Sequence, residues 1–288
     1  PYGLSAKFTD LTDSKKILEQ IDQHTIAIFF ETITNPQMEV ADISLLSKIA
    51  RDHKLILIAD TTLTPPSVFS AKDHGIHMEV LSSTKYISGG GTSVGGLIID
   101  YGSVDWSKFP KTKAAYGEHG ENAFNVMLKK QIYRNMGACL SPHSAYMQSL
   151  GLDTLALRTE RSVNNAHIIA TWLSRHSDVR RVTYPGLKQS PFYQVATKQF
   201  GDKPCSMLTF DLGSKAACFS FMNKLKLIRR STNLQDNKSL IIHPESTIFA
   251  EYLPEEKAGM GIRDTLMRLS VGIEDVGDLI DYLQQALS

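Results

Sequence analysis

Three short apolar runs in this chain each lead into a polar residue able to do chemistry, and the interval between those residues is constant. Ile26 to Phe30 ends at Glu31 and a loop carrying Asn35, Leu55 to Ala59 delivers Asp60, and Met78 to Leu81 leads to Lys85. From Asn35 to Asp60 is twenty-five positions (60 − 35), and from Asp60 to Lys85 is twenty-five again (85 − 60). Runs rich in β-branched and aromatic residues predict strands. The first interval holds Asp42-Ile43-Ser44-Leu45-Leu46-Ser47-Lys48-Ile49-Ala50, apolar at helical spacing, with Asp42 or Ser44 available as a cap. Strands alternating with helices imply parallel crossovers, and such sheets collect ligands at the carboxyl ends of their strands. Three strand ends therefore converge on one candidate site.

The chemistry of that site centres on Lys85, set in Ser82-Ser83-Thr84-Lys85-Tyr86 and followed by Gly89-Gly90-Gly91-Thr92-Ser93. A lysine paired with an aspartate at a strand end fits pyridoxal-phosphate chemistry. The lysine forms a Schiff base with the aldehyde, and the aspartate keeps the pyridine nitrogen protonated so that the ring accepts electrons. Ser82 and Thr84 offer hydroxyls to the cofactor phosphate. The plain alternative, a surface lysine beside an ordinary loop, leaves Asp60 unexplained. A nucleotide-phosphate cradle is the competing reading of Gly89 to Gly96. It fails because no GK[ST] ending is present and a strand, Leu97 to Ile99, follows where a helix is needed. The glycines instead let the chain pass closely beneath a cofactor and a subunit interface. Far downstream, Arg268 interrupts an apolar strand, Leu266 to Val271. A buried arginine needs an anion, and its planar fork matches a carboxylate; an internal salt bridge to an aspartate is the alternative.

Asn35-Pro36, Asp60-Thr61-Thr62, Ser82 to Tyr86 and Arg268-Leu269-Ser270-Val271-Gly272 occur in an order that resembles the cysteine/methionine-metabolism family of pyridoxal-phosphate enzymes. Leu140-Ser141-Pro142, Thr154 to Arg158 and Tyr184-Pro185-Gly186-Leu187 extend the resemblance over nearly the whole chain. It implies an α/β fold of type I: a mostly parallel sheet with helices on both faces, and a smaller C-terminal α+β domain. Residues 1–150 would form part of the large cofactor domain and 151–288 the small one. The resemblance assigns Arg268 to the substrate α-carboxylate, and Asn35 to the cofactor's phenolic oxygen and the same carboxylate. Thr62 would lie beside the ring, with a structural hydroxyl as its alternative. Gly91 to Asp100, Asp105-Trp106, Phe109-Pro110 and Asn233-Leu234 through His243-Pro244 are similar to the O-acetylhomoserine sulfhydrylase branch, with Asn233 where γ-lyases usually have serine. Asn233 is thereby a substrate-site candidate, or else a loop cap; His243 reads as structural. Thr61, Gly90 and Gln235 depart from the usual asparagine, histidine and glycine. The implied reaction is γ-replacement on an O-acyl-homoserine by sulfide or a thiol. γ-Elimination, or a cystathionine γ-synthase or lyase activity, is the alternative, and a non-catalytic homologue the alternative of another class.

Composition excludes other classes. Net charge is +1 with both signs mixed, so nothing favours nucleic acid or a membrane surface. No apolar run reaches the length of a membrane span. Cys139, Cys205 and Cys218 have neither metal nor disulfide spacing and read as reduced, buried thiols of a cytoplasmic protein; the nine histidines suggest no metal site. The resemblance further implies a homotetramer built as a dimer of dimers. It also aligns Phe8-Thr9-Asp10 with a family strand, so that a phosphate loop, a stacking tyrosine and an intersubunit arm would lie upstream, and the chain alone would bind cofactor poorly. Tyr2-Gly3 reads as the start of an ordinary strand. Further on, Gly117 to Gly120 reads as a polar stretch before a long helix from Ala123 to Gly137. Thr154 to Arg175 reads as a second helix, its apolar face formed by Leu155, Leu157, Val163, Ala166, Ile169, Ala170 and Leu173. Val182 to Tyr184 and Met207 to Phe210 read as strands, Ala216 to Leu225 as a helix, and Asp275 to Leu287 as a closing amphipathic helix.

Overall fold

The computed structural model of the chain describes residues 3–288; Tyr2 of the Tyr2-Gly3 pair lies outside them. A short helix, α1 (Ser14–Gln20), precedes the first strand, β1 (Ala27–Glu31). Then follow α2 (Ile43–Asp52), β2 (Ile56–Asp60), β3 (Met78–Leu81) and β4 (Leu97–Asp100). The four strands form one sheet in the order β1-β2-β3-β4, with β1, β2 and β3 parallel.

Local chemistry explains the crossover. The Asp42 carboxylate accepts the Leu45 N–H at 3.1 Å and so satisfies one of the free donors at the start of α2. Ile43, Leu46, Ile49 and Ala50 then fall on one buried face. Alternation along β2 sends Leu57 and Ala59 toward that face, while Ile56 and Ile58 meet Met78, Trp106 and Phe124 on the other. Both faces of the sheet are thus covered, as a parallel sheet requires. Each fully buried leucine or isoleucine here contributes about 1.5–3 kcal/mol.

Between the two sheets run α3 (Lys113–His119), α4 (Ala123–Met127), a π-helical turn over Leu128–Tyr133, α5 (Arg134–Met136), α6 (Pro142–Asp153) and the long α7 (Leu155–Leu173). The second sheet has the order β5-β6-β9-β8-β7. Its strands are β5 (Val179–Thr183), β6 (Met207–Leu212), β7 (Arg229–Arg230), β8 (Leu240–Ile242) and β9 (Leu266–Ser270), and only β7 with β8 is parallel. Helices α8 (Tyr193–Phe200), α9 (Lys215–Lys224), α10 (Pro254–Gly259) and α11 (Val276–Leu287) complete the chain. β6 and β9 are buried along their whole length, and one apolar cluster runs from α2 and β2 through α7 to β6, β9 and α11.

Several expectations are corrected. β4 runs antiparallel to β3, because the Lys85 loop returns with no crossover helix. Gly117 lies inside α3, and the helix expected from Ala123 is interrupted by the π turn. Within α7, Leu157 is 71% exposed and drops out of the apolar face, whereas Leu155 packs against the cluster of Leu81, Tyr86 and Ile87, and the face is buried from Val163 onward. Residues 3–10 form no strand, and Phe8 is 96% exposed. Cys205 and Cys218 are buried free thiols, but Cys139 is exposed. α1, α6, α8, α10, β7 and β8 were not legible in the sequence pattern. Among the described residues no helix is long and apolar enough to cross a membrane.

His77 is expected to give the four-stranded sheet a pH dependence. Its Nδ1 accepts the Leu57 N–H at 2.9 Å, and burial pushes the ring's pKa down. A histidine whose folded pKa is depressed contributes full stability above its unfolded value, and that contribution is lost as pH falls toward the folded value. Urea denaturation should therefore show stability declining below about pH 6.5, well above the range where carboxylates titrate. A His77→Gln variant should lack that part of the slope; an unchanged slope would place it elsewhere.

Candidate active site

The carboxyl ends of the parallel strands β1, β2 and β3 lie side by side along one edge of the sheet. Asp60 Oδ1 accepts the Thr62 N–H at 2.8 Å, and Thr62 Oγ1 accepts the Ser82 N–H at 3.0 Å. The Asp60 loop and the Lys85 loop are thus joined through Thr62, and the other oxygen of Asp60 takes no protein donor among the described residues. Thr84 closes the Lys85 loop on itself: its hydroxyl accepts the Gly95 N–H at 3.0 Å and donates to the Gly95 carbonyl at 3.2 Å. A phosphate would compete with that carbonyl for the proton. The Ser82 hydroxyl has no protein partner among the described residues. Beneath the loop, Arg158 on α7 donates to the Tyr86 carbonyl at 2.8 Å and to the Gly151 carbonyl at 2.5 Å. α6 approaches so closely that a Cβ on Gly151 would lie 2.0 Å from the Ile87 carbonyl oxygen.

Lys85 Nζ donates to Asn233 Oδ1 at 2.7 Å. Burial lowers the lysine's pKa, the charge of Arg268 lowers it further, and Asp236 opposes both. A larger share of uncharged amine suits a nucleophile or a base.

Arg268, on β9, is 2% exposed. Its guanidinium donates to Asn35 Oδ1 at 3.1 Å, to the Thr232 carbonyl at 2.8 Å and to the Asn233 carbonyl at 3.1 Å. No carboxylate lies within ion-pairing distance among the described residues, which removes the internal salt bridge. Its buried Nε has no partner, and burial alone takes the pKa to about 10. A buried cation lacking an anion is costly, and a ligand carboxylate is the counter-charge such a group accepts. The Asn35 loop is held by its own N–H, which donates to Glu31 Oε2 at 3.0 Å.

Asn35, Asp60, Thr62, Ser82, Thr84, Lys85, Asn233 and Arg268 are therefore brought into one connected region. Sequence reasoning noted Gln235 only as a departure. It adopts φ 55°, a left-handed conformation that a glycine would take without strain. Its side chain accepts from Ser206 Oγ at 2.7 Å and donates to the Leu63 carbonyl at 2.9 Å, while its N–H donates to Ser270 Oγ at 2.7 Å. It fastens the Asn233 turn to the loop that follows β2 and to the β6–β9 region of the second sheet. Thr61 is buried and donates to Glu79, which also accepts from the Tyr101 hydroxyl, so it belongs to a buried hydrogen-bond network beside the end of β2. His243 is structural, contacting Ser246 Oγ at 2.8 Å and the Asp264 carbonyl at 2.7 Å.

The donor set fits pyridoxal phosphate: an amine of lowered pKa for the aldehyde, a carboxylate at a strand end for the ring nitrogen, and an anion-seeking arginine beside them. With the two sheets, this defines a fold-type-I pyridoxal-phosphate-dependent enzyme. The chain belongs to the Cys/Met metabolism PLP-dependent enzyme family, whose model matches residues 1–288. It is similar to L-methionine gamma-lyase of Pseudomonas putida, at 35% identity over 288 residues, covering 99% of this chain and 67% of that protein. It is equally similar to O-acetyl-L-homoserine sulfhydrylase 1 of Thermus thermophilus, 35% over 300 residues, covering 99% and 71%. The solved O-acetylhomoserine sulfhydrylase of Wolinella succinogenes superposes with a TM-score of 0.89 at 46% identity, covering 100% of this chain and 78% of that one. A Campylobacter jejuni chain solved with N'-pyridoxyl-lysine-5'-monophosphate gives a TM-score of 0.90 at 34% identity, covering 97% and 70%.

Proposed function

We propose that this chain catalyses γ-replacement on an O-acyl-homoserine, with sulfide or a thiol as the incoming nucleophile and homocysteine or methionine as product. The observation that carries the reading is the Lys85–Asn233 contact next to an arginine with no anion. It sets a proton-transferring amine beside a carboxylate receptor, and the receptor's asparagine is the residue resembling the sulfhydrylase branch. The 46% identity to the Wolinella sulfhydrylase supports replacement over elimination.

Pyridoxal phosphate, when bound, supplies an aldehyde that bonds amines and a ring that takes up electrons released at the substrate's Cα. With the cofactor present, Lys85 would hold its aldehyde and, as a free amine of lowered pKa, would carry protons at the substrate's Cα and Cβ. Asp60 would keep the ring nitrogen positive by accepting a charge-assisted hydrogen bond from its N–H, the proton staying on nitrogen. Arg268 and Asn35 grip the α-carboxylate, which points the Cα proton toward Lys85. Thr62 keeps the Asp60 and Lys85 loops in register. Ser82 would donate to the phosphate, and Thr84 could do so in exchange for its bond to the Gly95 carbonyl. With Cβ deprotonated, the ester would leave Cγ as a carboxylate carrying the Cγ–O bonding pair, and sulfide or thiolate would add at Cγ as the proton returns to Cβ. We place the enzyme in the cytoplasm as a homotetramer of paired dimers. Exposed Ile132, Met136, Leu140, Tyr146, Leu150 and Leu157 support an interface along 128–157.

The test is product analysis of the cofactor-loaded protein given O-acetylhomoserine and sulfide. Homocysteine should form together with one equivalent of acetate. Dominant release of a 2-oxo acid and ammonia would favour elimination, and formation of neither product set would favour a non-catalytic homologue.

A further inference from the structure

Asp236 sits behind Asn233 as Asn233 sits behind Lys85. Asn233 Nδ2 donates to Asp236 Oδ2 at 3.2 Å, while Asn233 Oδ1 accepts from Lys85 Nζ at 2.7 Å. The other oxygen of Asp236 accepts the Lys238 N–H at 3.1 Å. An ionised carboxylate only accepts and an ammonium only donates. The amide between them can satisfy both in a single orientation, with oxygen toward the lysine and nitrogen toward the carboxylate. A serine hydroxyl, which both donates and accepts, would need no such partner. Space is also tight: Gly91 has φ +61°, and a Cβ there would lie 3.3 Å from Asn233 Nδ2 and 3.5 Å from Asp236 Oδ2.

We infer that Asp236 is a positioning residue that fixes the Asn233 amide with its oxygen on Lys85, and so holds the lysine amine where the reaction needs it. This rests on the reading of Lys85 as the base. Arg268 from β9 and Asp236 from this turn are the charges facing that amine, so Asp236 also offsets part of the arginine's field.

Asp236→Asn is the informative variant. It keeps an oxygen for the Lys238 N–H, so the turn is retained, but it presents an NH₂ group to the Asn233 NH₂. Two donors face each other, and the Asn233 amide is relieved by turning over, which aims its own NH₂ at Lys85. Turnover of the cofactor-loaded enzyme should fall about tenfold, as loss of a charge-linked hydrogen bond predicts. In the cofactor-free protein, competitive acetylation at pH 8 with peptide mapping should find Lys85 several-fold more reactive, because the opposing negative charge is gone. The decisive arm is the Asn233→Ser background, where Asp236→Asn should cost several-fold less turnover than it does with Asn233 present, because only its charge then acts on Lys85. An equal loss in both backgrounds, or unchanged Lys85 reactivity, would overturn the inference. A Lys85→Ala control with undiminished turnover would instead overturn the reading of Lys85 on which it rests.

Discussion

Lys85→Ala is expected to lower turnover on the order of 10⁴-fold, the upper range for removing a proton-transferring group, and to leave the protein unable to hold pyridoxal phosphate covalently. Two functions reside in one amine, so no other side chain can take over either. Asn233 would lose its donor, but the loop itself is secured by Thr84 on Gly95, Arg158 on Tyr86 and Thr62 on Ser82. The fold should therefore persist. Steady-state assays and gel filtration with visible absorption check this directly: cofactor should separate from the variant and remain with the wild type. Near-normal turnover in the variant would remove Lys85 from the chemistry.

Arg268→Ala should raise the apparent KM for amino-acid substrates about a hundredfold, since truncating one side of a buried, hydrogen-bonded charge pair costs about 2–5 kcal/mol. The cofactor's absorption should barely move, because the arginine's neighbours are Asn35 and the carbonyls of Thr232 and Asn233. Those acceptors lose their donor as well, so a lowered melting temperature is expected. Arg268→Lys separates the effects by keeping the charge and losing the planar fork. It should recover stability more than KM. Parallel loss of cofactor absorption and substrate affinity would make Arg268 a structural residue.

Much of the site was legible because it depends on strand ends. Asn35, Asp60 and Lys85 follow apolar runs whose period and spacing are written in the chain, and a parallel sheet carries such positions to one edge. Arg268 announced itself as a charge within a strand buried on all sides. The Asn233–Asp236 turn was not legible in the same way. Its geometry depends on a left-handed Gln235 held by groups from Leu63, Ser206 and Ser270, which only the packed fold brings together. β4 misled for a related reason. Its sequence looks like the strands before it, and its direction is decided by the fifteen-residue return of residues 82–96, which contains no helix. The π turn over Leu128–Tyr133 is likewise a matter of hydrogen-bond register, which apolar spacing does not encode.

Borohydride reduction of the cofactor-loaded protein, followed by peptide mapping, tests the account at its centre. Reduction freezes the cofactor on the amine that holds it, and the account places that bond on Lys85. A single labelled peptide containing Lys85 is the predicted result. Label recovered mainly on another lysine, such as Lys72 or Lys129, would contradict the site and every role assigned around it.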